Sequence, residues 1–136
     1  MDIPDSGSTP MPQLIENIAK HDYIGFNPTK SGDLPNYKVV PDFLRFNKKQ
    51  TSQLAQISQA SVRYDEKIPN DLAERLEQIA NIANRVAALF DGDIGKAALW
   101  FRTRNSILGQ VAPRDMVRLN RFKRLAKFVT EAEQQR

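Results

Sequence analysis

Between Leu72 and Phe90 the chain repeats apolar residues at spacings of four, three, four, three and four positions. This spacing follows the turn of an α-helix, so it predicts a single helix from Asn70 or Asp71 to Phe90 with one apolar stripe. A helix of this kind is stable only when its stripe is buried against other elements. The segment therefore predicts a helical core around which the remaining chain packs.

Two short helices are predicted upstream of this long one. Apolar residues at positions 40, 43 and 44 favour a helix from about Pro41 to Phe46, with the proline in the first turn. Asn47 is suited to cap a second helix over residues 48–55, because its side chain can accept a hydrogen bond from the first turn.

A third short helix is predicted immediately afterwards. Ser58 is suited to cap a helix over residues 59–64, with Val62 turned inward. Two short helices divided by a tight turn form the helix-turn-helix plan, whose second helix lies in the major groove of DNA. Residues 39–68 are therefore predicted to be a helix-turn-helix-like segment.

Helical signals continue to the end of the chain. Gly92 is suited to the left-handed position that ends the long helix, and Asp93 to the cap of the next one. Further helices are predicted by apolar periodicity at Ile94, Ala97, Ala98 and Phe101, by the first-turn proline Pro113, and by Phe122, Leu125, Ala126 and Val129. No segment alternates apolar and polar residues as a strand does, so we predict an all-α protein.

The first 38 residues differ from the rest in composition. They hold five of the eight prolines and three of the six glycines, which predicts a flexible polar arm, although Leu14, Ile15 and Ile18 could form about two helical turns. The predicted organisation is thus an arm over 1–38, the helix-turn-helix-like segment over 39–68, and the long helix with a C-terminal helical domain over 69–136.

The residue types needed for most enzymatic sites are missing from the sequence. The chain has no cysteine and one histidine, His21, which stands beside Asp22 without a second ligand at metal-binding spacing, so it is assigned no role. No phosphate-binding glycine loop or nucleophile motif occurs. We expect a non-enzymatic binding protein without metal or cofactor. Without a signal peptide or membrane span in the sequence, we expect it to be soluble and cytoplasmic.

Charge is segregated along the chain. Residues 38–63 carry five bases and one acid, and residues 102–127 carry eight bases and one acid, whereas residues 64–93 carry seven acids and three bases. Basic stretches suit phosphate backbones or acidic protein surfaces, and they equally suit solvated helix faces. The sequence leaves both interpretations open.

One stretch after the long helix resembles the toxin-binding domain of Xre/MbcA/ParS antitoxins. The family pattern is matched by Ala97, Trp100 and Phe101, then Asn105, Leu108 and Gly109, then Pro113, Asp115, Met116 and Val117. Trp100 is expected to fill the core between helices, and Leu108 with Gly109 to form a tight turn. The chain departs from the family at Gln56, Gln110 and residues 118–121, where members usually have glycine. It also has Arg104 where proline is usual, and Thr51 and Ser52 where leucine and alanine are usual.

The resemblance implies an antitoxin whose partner is a toxin of the RES/ParT/MbcT kind, which consumes NAD or transfers ADP-ribose from it. The region after Pro113 would block that toxin. The toxin-binding residues implied in this way are Trp100, Asn105, Leu108, Arg118, Arg121, Arg124, Lys127 and Arg136.

The resemblance also implies an Xre-like helix-turn-helix that represses the operon as a homodimer on paired half-sites. Lys48 and Lys49 are then expected to meet phosphates, while base edges are met by Ser58, Gln59, Ser61 and Arg63. Two alternatives stay open: a solitary or phage-type regulator without a toxin, and an adaptor whose helix-turn-helix is vestigial. The neighbouring reading frame distinguishes the antitoxin from the regulator.

Overall fold

The computed structural model describes residues 17–136, and within this range the protein is all-α, as predicted. Its α-helices are α1 (Val39–Leu44), α2 (Lys48–Ala55), α3 (Asn70–Leu89), α4 (Ile94–Arg102), α5 (Pro113–Arg118) and α6 (Phe122–Gln134). Single turns of 3-10 helix lie at Gln59–Ser61 and Ser106–Leu108. Of these helices, none is long and apolar enough to cross a membrane.

Helix α3 is the centre of the fold, and its predicted bounds and stripe are confirmed. The first five stripe residues, Leu72, Leu76, Ile79, Ala83 and Val86, are buried, while Phe90 at the end is half-buried. Helices α1, α2, α4 and α6 all contact α3. The apolar periodicity of one segment thus defines the core for the whole described chain.

Helices α1 and α2 follow the predicted plan with one shift. The first helix runs from Val39 to Leu44 instead of from Pro41 to Phe46, and it ends there because Arg45 turns to a left-handed φ of 56°. Asn47 caps α2 as predicted: its side chain accepts from the backbone N–H of Gln50 at 2.8 Å, and the Gln50 side chain accepts from the backbone N–H of Asn47 at 2.9 Å.

The predicted α-helix over residues 59–64 is wrong. Only Gln59–Ser61 forms a turn, and Val62 returns to extended backbone while its side chain is buried as expected. Ser58 does not cap this turn, because its hydroxyl pairs instead with the hydroxyl of Ser61 at 2.8 Å. One turn of 3-10 helix is too short to be the second helix of a helix-turn-helix.

The predicted helical hairpin after α3 is confirmed. Asp91 and Gly92 both have positive φ, 57° and 85°, and Asp93 caps α4 by accepting from the backbone N–H of Lys96 at 3.0 Å. A Cβ at Gly92 would lie 2.9 Å from the Tyr23 ring, so glycine is required there by both conformation and space. Helix α5 begins at Pro113, and the α6 residues Leu125 and Val129 complete the core.

The described part of the N-terminal segment packs on the domain, in contrast to the predicted flexible arm over residues 1–38. Phe26 is 4% exposed and belongs to the core, and its ring meets Tyr37 edge-on at 5.8 Å between centroids. Side chains of α3 hold the backbone of this segment by hydrogen bonds described below. The predicted helix containing Leu14 and Ile15 lies outside the described residues.

Candidate partner-binding surface

Helix α4 carries two adjacent aromatic residues, of which one lies in the core and the other at its edge. Phe101 is fully buried and meets Phe43 of α1 edge-on at 5.4 Å. Trp100 is half-buried, meets Phe101 at 5.2 Å and stacks on Phe128 of α6 at 6.2 Å. Phe101 therefore fills the core position expected of Trp100, and Trp100 joins α4 to α6 at the edge of the core.

The turn between α4 and α5 is held by its own hydrogen bonds. Asn105 accepts from the backbone N–H of Ile107 at 2.9 Å and pairs with Val111 in an isolated antiparallel bridge. Leu108 is buried and Gly109 is left-handed with a φ of 81°. Asn105 and Leu108, which the resemblance assigned to toxin binding, thus shape the turn. Ile107 is a large apolar side chain that this turn exposes, with 73% of its surface accessible.

Two of the basic residues assigned to toxin binding form ion pairs and hydrogen bonds within the molecule. Arg118 pairs with Asp115 at 3.1 Å and donates to the side-chain carbonyl of Gln53 at 3.3 Å, which links α5 to α2. Arg136 donates to the carbonyl of Ala88 at 2.7 Å and to Asp91 at 2.8 Å. The terminal arginine therefore anchors the chain end on α3 instead of reaching outward.

The other basic residues of this region form an exposed surface, which we name the basic α6 face and define as Arg121, Lys123, Arg124 and Lys127. All four are exposed, and none pairs with a carboxylate of residues 17–136. The sequence assignment omitted Lys123, although its spacing of four residues from Lys127 places these two on the same side of a helix. Within residues 17–136, positive charge without a carboxylate partner is thus concentrated on one helix and its N-cap.

The residues assigned to DNA binding lie around α2 and the turn after it. Lys48 and Lys49 are exposed in the first turn of α2, and Gln59 is exposed in the 3-10 turn. Ser58 and Ser61 bond to each other. The two lysines and the residues assigned to base edges are near in sequence. However, Ser58, Gln59, Ser61 and Arg63 do not lie on an α-helix.

Arg63 is engaged in an exposed ion pair. Its Nε donates to Asp65 Oδ1 at 2.7 Å, and this contact lowers the pKa of the Asp65 carboxyl and raises the pKa of Arg63. Nearby, burial raises the pKa of the Tyr64 hydroxyl. Arg63 is thus satisfied within the chain, which weakens its assignment to base edges.

A cleft of about 1040 Å³ is lined by residues of the segment 17–27, of α3 and of α6. We name it the α3–α6 groove. Asn81 of α3 makes two hydrogen bonds to the backbone of residues 17–19, which form one wall of the groove. Its side-chain carbonyl accepts from the backbone N–H of Ala19 at 2.7 Å, and its amide donates to the carbonyl of Asn17 at 2.9 Å. One turn later Asn84 accepts from the backbone N–H of Ile24 at 3.0 Å and donates to Asp22 at 3.1 Å.

Sequence reasoning missed the buried ion pair at the floor of this groove. Arg85 is 5% exposed, and its guanidinium donates to both carboxylate oxygens of Glu133, at 3.0 and 2.6 Å, and to the Thr130 hydroxyl at 2.8 Å. The available signal was the position of Arg85 three residues after Ile82, on the buried side of α3. A charged residue in that position predicts a buried partner.

Comparison with known proteins identifies no relative: no family model, no curated protein and no solved structure matches the chain. A function for this molecule is therefore argued from its residues and their geometry alone.

Proposed function

We propose that the protein is an antitoxin that binds a RES/ParT/MbcT-like toxin and blocks its consumption of NAD or its transfer of ADP-ribose. The α4–α6 region is the binding part, and the basic α6 face is its principal contact surface. The protein contributes no catalysis. The proposal combines the resemblance in sequence with two structural observations, one on the backbone and one on charge.

The backbone observation carries the proposal. The antitoxin family usually has glycine at the positions of Gln56 and Gln110 and within residues 118–121. In this chain Gln56, Gln110 and Asn120 have positive φ angles of 55°, 65° and 66°. Residues other than glycine rarely adopt this region, so these are positions at which glycine would be favoured, and this supports the resemblance.

The charge observation supports the choice of contact surface. The basic α6 face stands on a helix that Leu125 and Val129 anchor in the core, so its charges are presented on a rigid support. A toxin that binds NAD recognises a pyrophosphate, and acids at the rim of such a pocket would pair with these bases. Complementary charge at an interface raises the association rate and selects the partner.

Charge reversal on α6 tests the proposal. We expect Arg121→Glu/Arg124→Glu/Lys127→Glu to weaken inhibition of the toxin encoded beside the gene by tenfold or more. Electrostatic steering changes association rates by factors of this order. The measurement is NAD hydrolysis or ADP-ribosyl transfer by that toxin against antitoxin concentration. Unchanged inhibition by a folded variant contradicts the proposed surface. A deletion after Val117 is unsuitable, because it removes Leu125 and Val129 from the core.

The matched control carries the same charge change elsewhere. Lys38→Glu/Lys48→Glu/Lys49→Glu reverses three exposed bases in and near α1 and α2. We expect it to inhibit like the wild type. If both triple variants lose inhibition equally, net charge and not the α6 surface is responsible. If the neighbouring gene encodes no such enzyme, the solitary regulator becomes the better proposal.

Autorepression through DNA, as a homodimer, is the second candidate function. The observation that favours it is the exposure of Lys48 and Lys49 in the capped first turn of α2. Because residues 58–64 lack the length to read a major groove, the phosphate backbone is the principal contact in this proposal.

In gel shifts with the upstream operon DNA, we expect binding that falls steeply with salt and that Lys48→Glu/Lys49→Glu abolishes. Random DNA of equal length, run at the same salt concentration, is the control and should bind more weakly, because repression of one operon requires selectivity for its DNA. Equal binding of the two DNAs would contradict autorepression. No shift at low salt would leave a toxin neutraliser only.

A further inference from the structure

We propose that α5, α6 and the turn between them form the element that reads duplex DNA, and that the first half of α6 enters the major groove. The proposal rests on the second candidate function, binding to the upstream DNA of the operon, and it names the helix that makes this binding selective. Three observations support it: the turn that joins the two helices, the exposed side of α6 and the charge on that side.

Helices α5 and α6 are joined by the kind of tight turn that a helix-turn-helix requires. Only residues 119–121 separate the two helices, which pack on each other. Asn120 has a left-handed φ of 66°. Its backbone N–H donates to the carbonyl of Val117 at 3.4 Å, and the backbone N–H of Arg121 donates to the carbonyl of Met116 at 2.7 Å. This pair of bonds closes the end of α5 and fixes the direction in which α6 begins.

Helix α6 has a side that can lie in a groove, whereas α2 does not. The exposed residues of α6 follow one stripe along its length, at spacings of three, four and three positions: Arg124, Lys127, Glu131 and Gln134. In α2 only the first turn, with Lys48 and Lys49, is exposed, and none of residues 50–55 is, because α3 and α5 pack against this helix. Helix α2 is therefore limited to phosphate contacts.

The positive charge of α6 lies in the half that would enter the groove. Residues 119–130 contain all four bases of the basic α6 face and no acid, whereas Glu131 and Glu133 stand in the last turn. The second helix of a helix-turn-helix contacts base edges with its N-terminal residues, and arginine and lysine side chains bind O6 and N7 of guanine there. We therefore assign Arg124 and Lys127, one turn apart on the exposed stripe, to base edges.

The start of α6 lies close to α2 in the fold. Lys49 and Gln53 are four residues apart on one side of α2. The side-chain carbonyl of Gln53 accepts from Arg118, the last residue of α5, at 3.3 Å, and α6 begins four residues later. One duplex can therefore place its phosphates at the lysines of α2 and its major groove at α6. In this arrangement α2 supplies affinity and α6 supplies selectivity.

Substitution of the two assigned residues tests the proposal. In fluorescence anisotropy titrations at one salt concentration, we expect Arg124→Ala/Lys127→Ala to bind a duplex of the upstream operon DNA at least tenfold more weakly. Binding to a random duplex of equal length should fall much less, so that the preference for operon DNA is lost. Both side chains are exposed, so the fold should persist, which circular dichroism checks.

The matched control removes the same charge elsewhere. Lys67→Ala/Lys96→Ala changes two exposed bases outside α2, α5 and α6, and it should bind both duplexes like the wild type. Equal losses from the two double variants overturn the proposal, because net charge would then be the cause. An unchanged preference for operon DNA in Arg124→Ala/Lys127→Ala overturns it as well.

Methylation protection identifies the groove that is occupied. Dimethyl sulfate methylates guanine N7, which lies in the major groove. We expect the wild type to protect guanines of the operon duplex, and Arg124→Ala/Lys127→Ala to lose this protection at concentrations at which it still binds. Binding without protection overturns the role of α6 and leaves the phosphate contacts of the second candidate function in place, whereas absence of any DNA binding overturns both. No toxin is present, so the antitoxin proposal is tested separately.

Discussion

Replacing Phe101 by alanine is expected to lower the free energy of unfolding by about 3–5 kcal/mol, the range for removal of a buried phenyl ring. Phe101 is fully buried and touches Phe43 and Trp100, so its loss leaves a cavity between α1 and α4. A domain of this size has about 5–15 kcal/mol of stability in total, so the variant loses a large fraction of it. Urea titration followed by circular dichroism measures the loss.

The neighbouring residues of the same helix provide matched controls. Leu99 is 59% exposed, so Leu99→Ala should stay within about 0.5 kcal/mol of the wild type. Trp100 is half-buried against Phe128, so Trp100→Ala should fall between the two, at about 2 kcal/mol. A larger loss at Trp100 than at Phe101 would contradict the structure and return Trp100 to the core position expected from sequence.

Replacing Glu133 by alanine is expected to destabilise the protein by about 3 kcal/mol, because it leaves the Arg85 guanidinium buried without its partner. Replacing Arg85 instead of Glu133 should lower the free energy of unfolding by less. Arg85→Met fills most of the vacated space, and the remaining carboxylate of Glu133, whose side chain is 32% exposed, can be hydrated. The asymmetry follows from the unequal burial of the two ends of one ion pair.

A double-mutant cycle with denaturant unfolding measures this asymmetry. We expect Arg85→Met/Glu133→Ala to be more stable than Glu133→Ala alone, since the second substitution removes the stranded charge. Asp65→Ala is the control: it breaks the Arg63–Asp65 pair, which is bidentate like Arg85–Glu133 but exposed, and should change stability far less. Equal losses from the two carboxylate deletions would show that burial of Arg85 is not the cause.

Local patterns predicted those elements whose signals lie within one helix. The stripe from Leu72 to Val86 gave the bounds of α3, and the caps at Asn47 and Asp93 gave the starts of α2 and α4, because capping depends on residues three positions apart. The same kind of local signal led to the wrong prediction of a helix after Ser58. Its hydroxyl had a competing partner in Ser61, and a capping residue predicts a helix only when the following residues sustain one.

Long-range contacts account for the remaining differences. Asn81 and Asn84 have no local sequence signal for their contacts, yet each holds backbone or side-chain groups about sixty residues away. The sequence assigned Arg118 and Arg136 to a partner, and it carries no local signal for Gln53 and Ala88, which bind them from distant segments. Of the basic residues assigned to the partner, those on the outer side of α6 are exposed, since helical periodicity alone determines that side.

Both ends of the described chain are fastened to the second half of α3, Asn17 at Asn81 and Arg136 at Ala88 and Asp91. Seven residues of helix separate the first two anchors, about 10 Å along its axis. An engineered linker of a few residues would span a distance of this order and join Arg136 to Asn17. The fold is therefore open to circular permutation, with new ends placed at the exposed turn residues Glu66 and Lys67 and the anchors on α3 left in place.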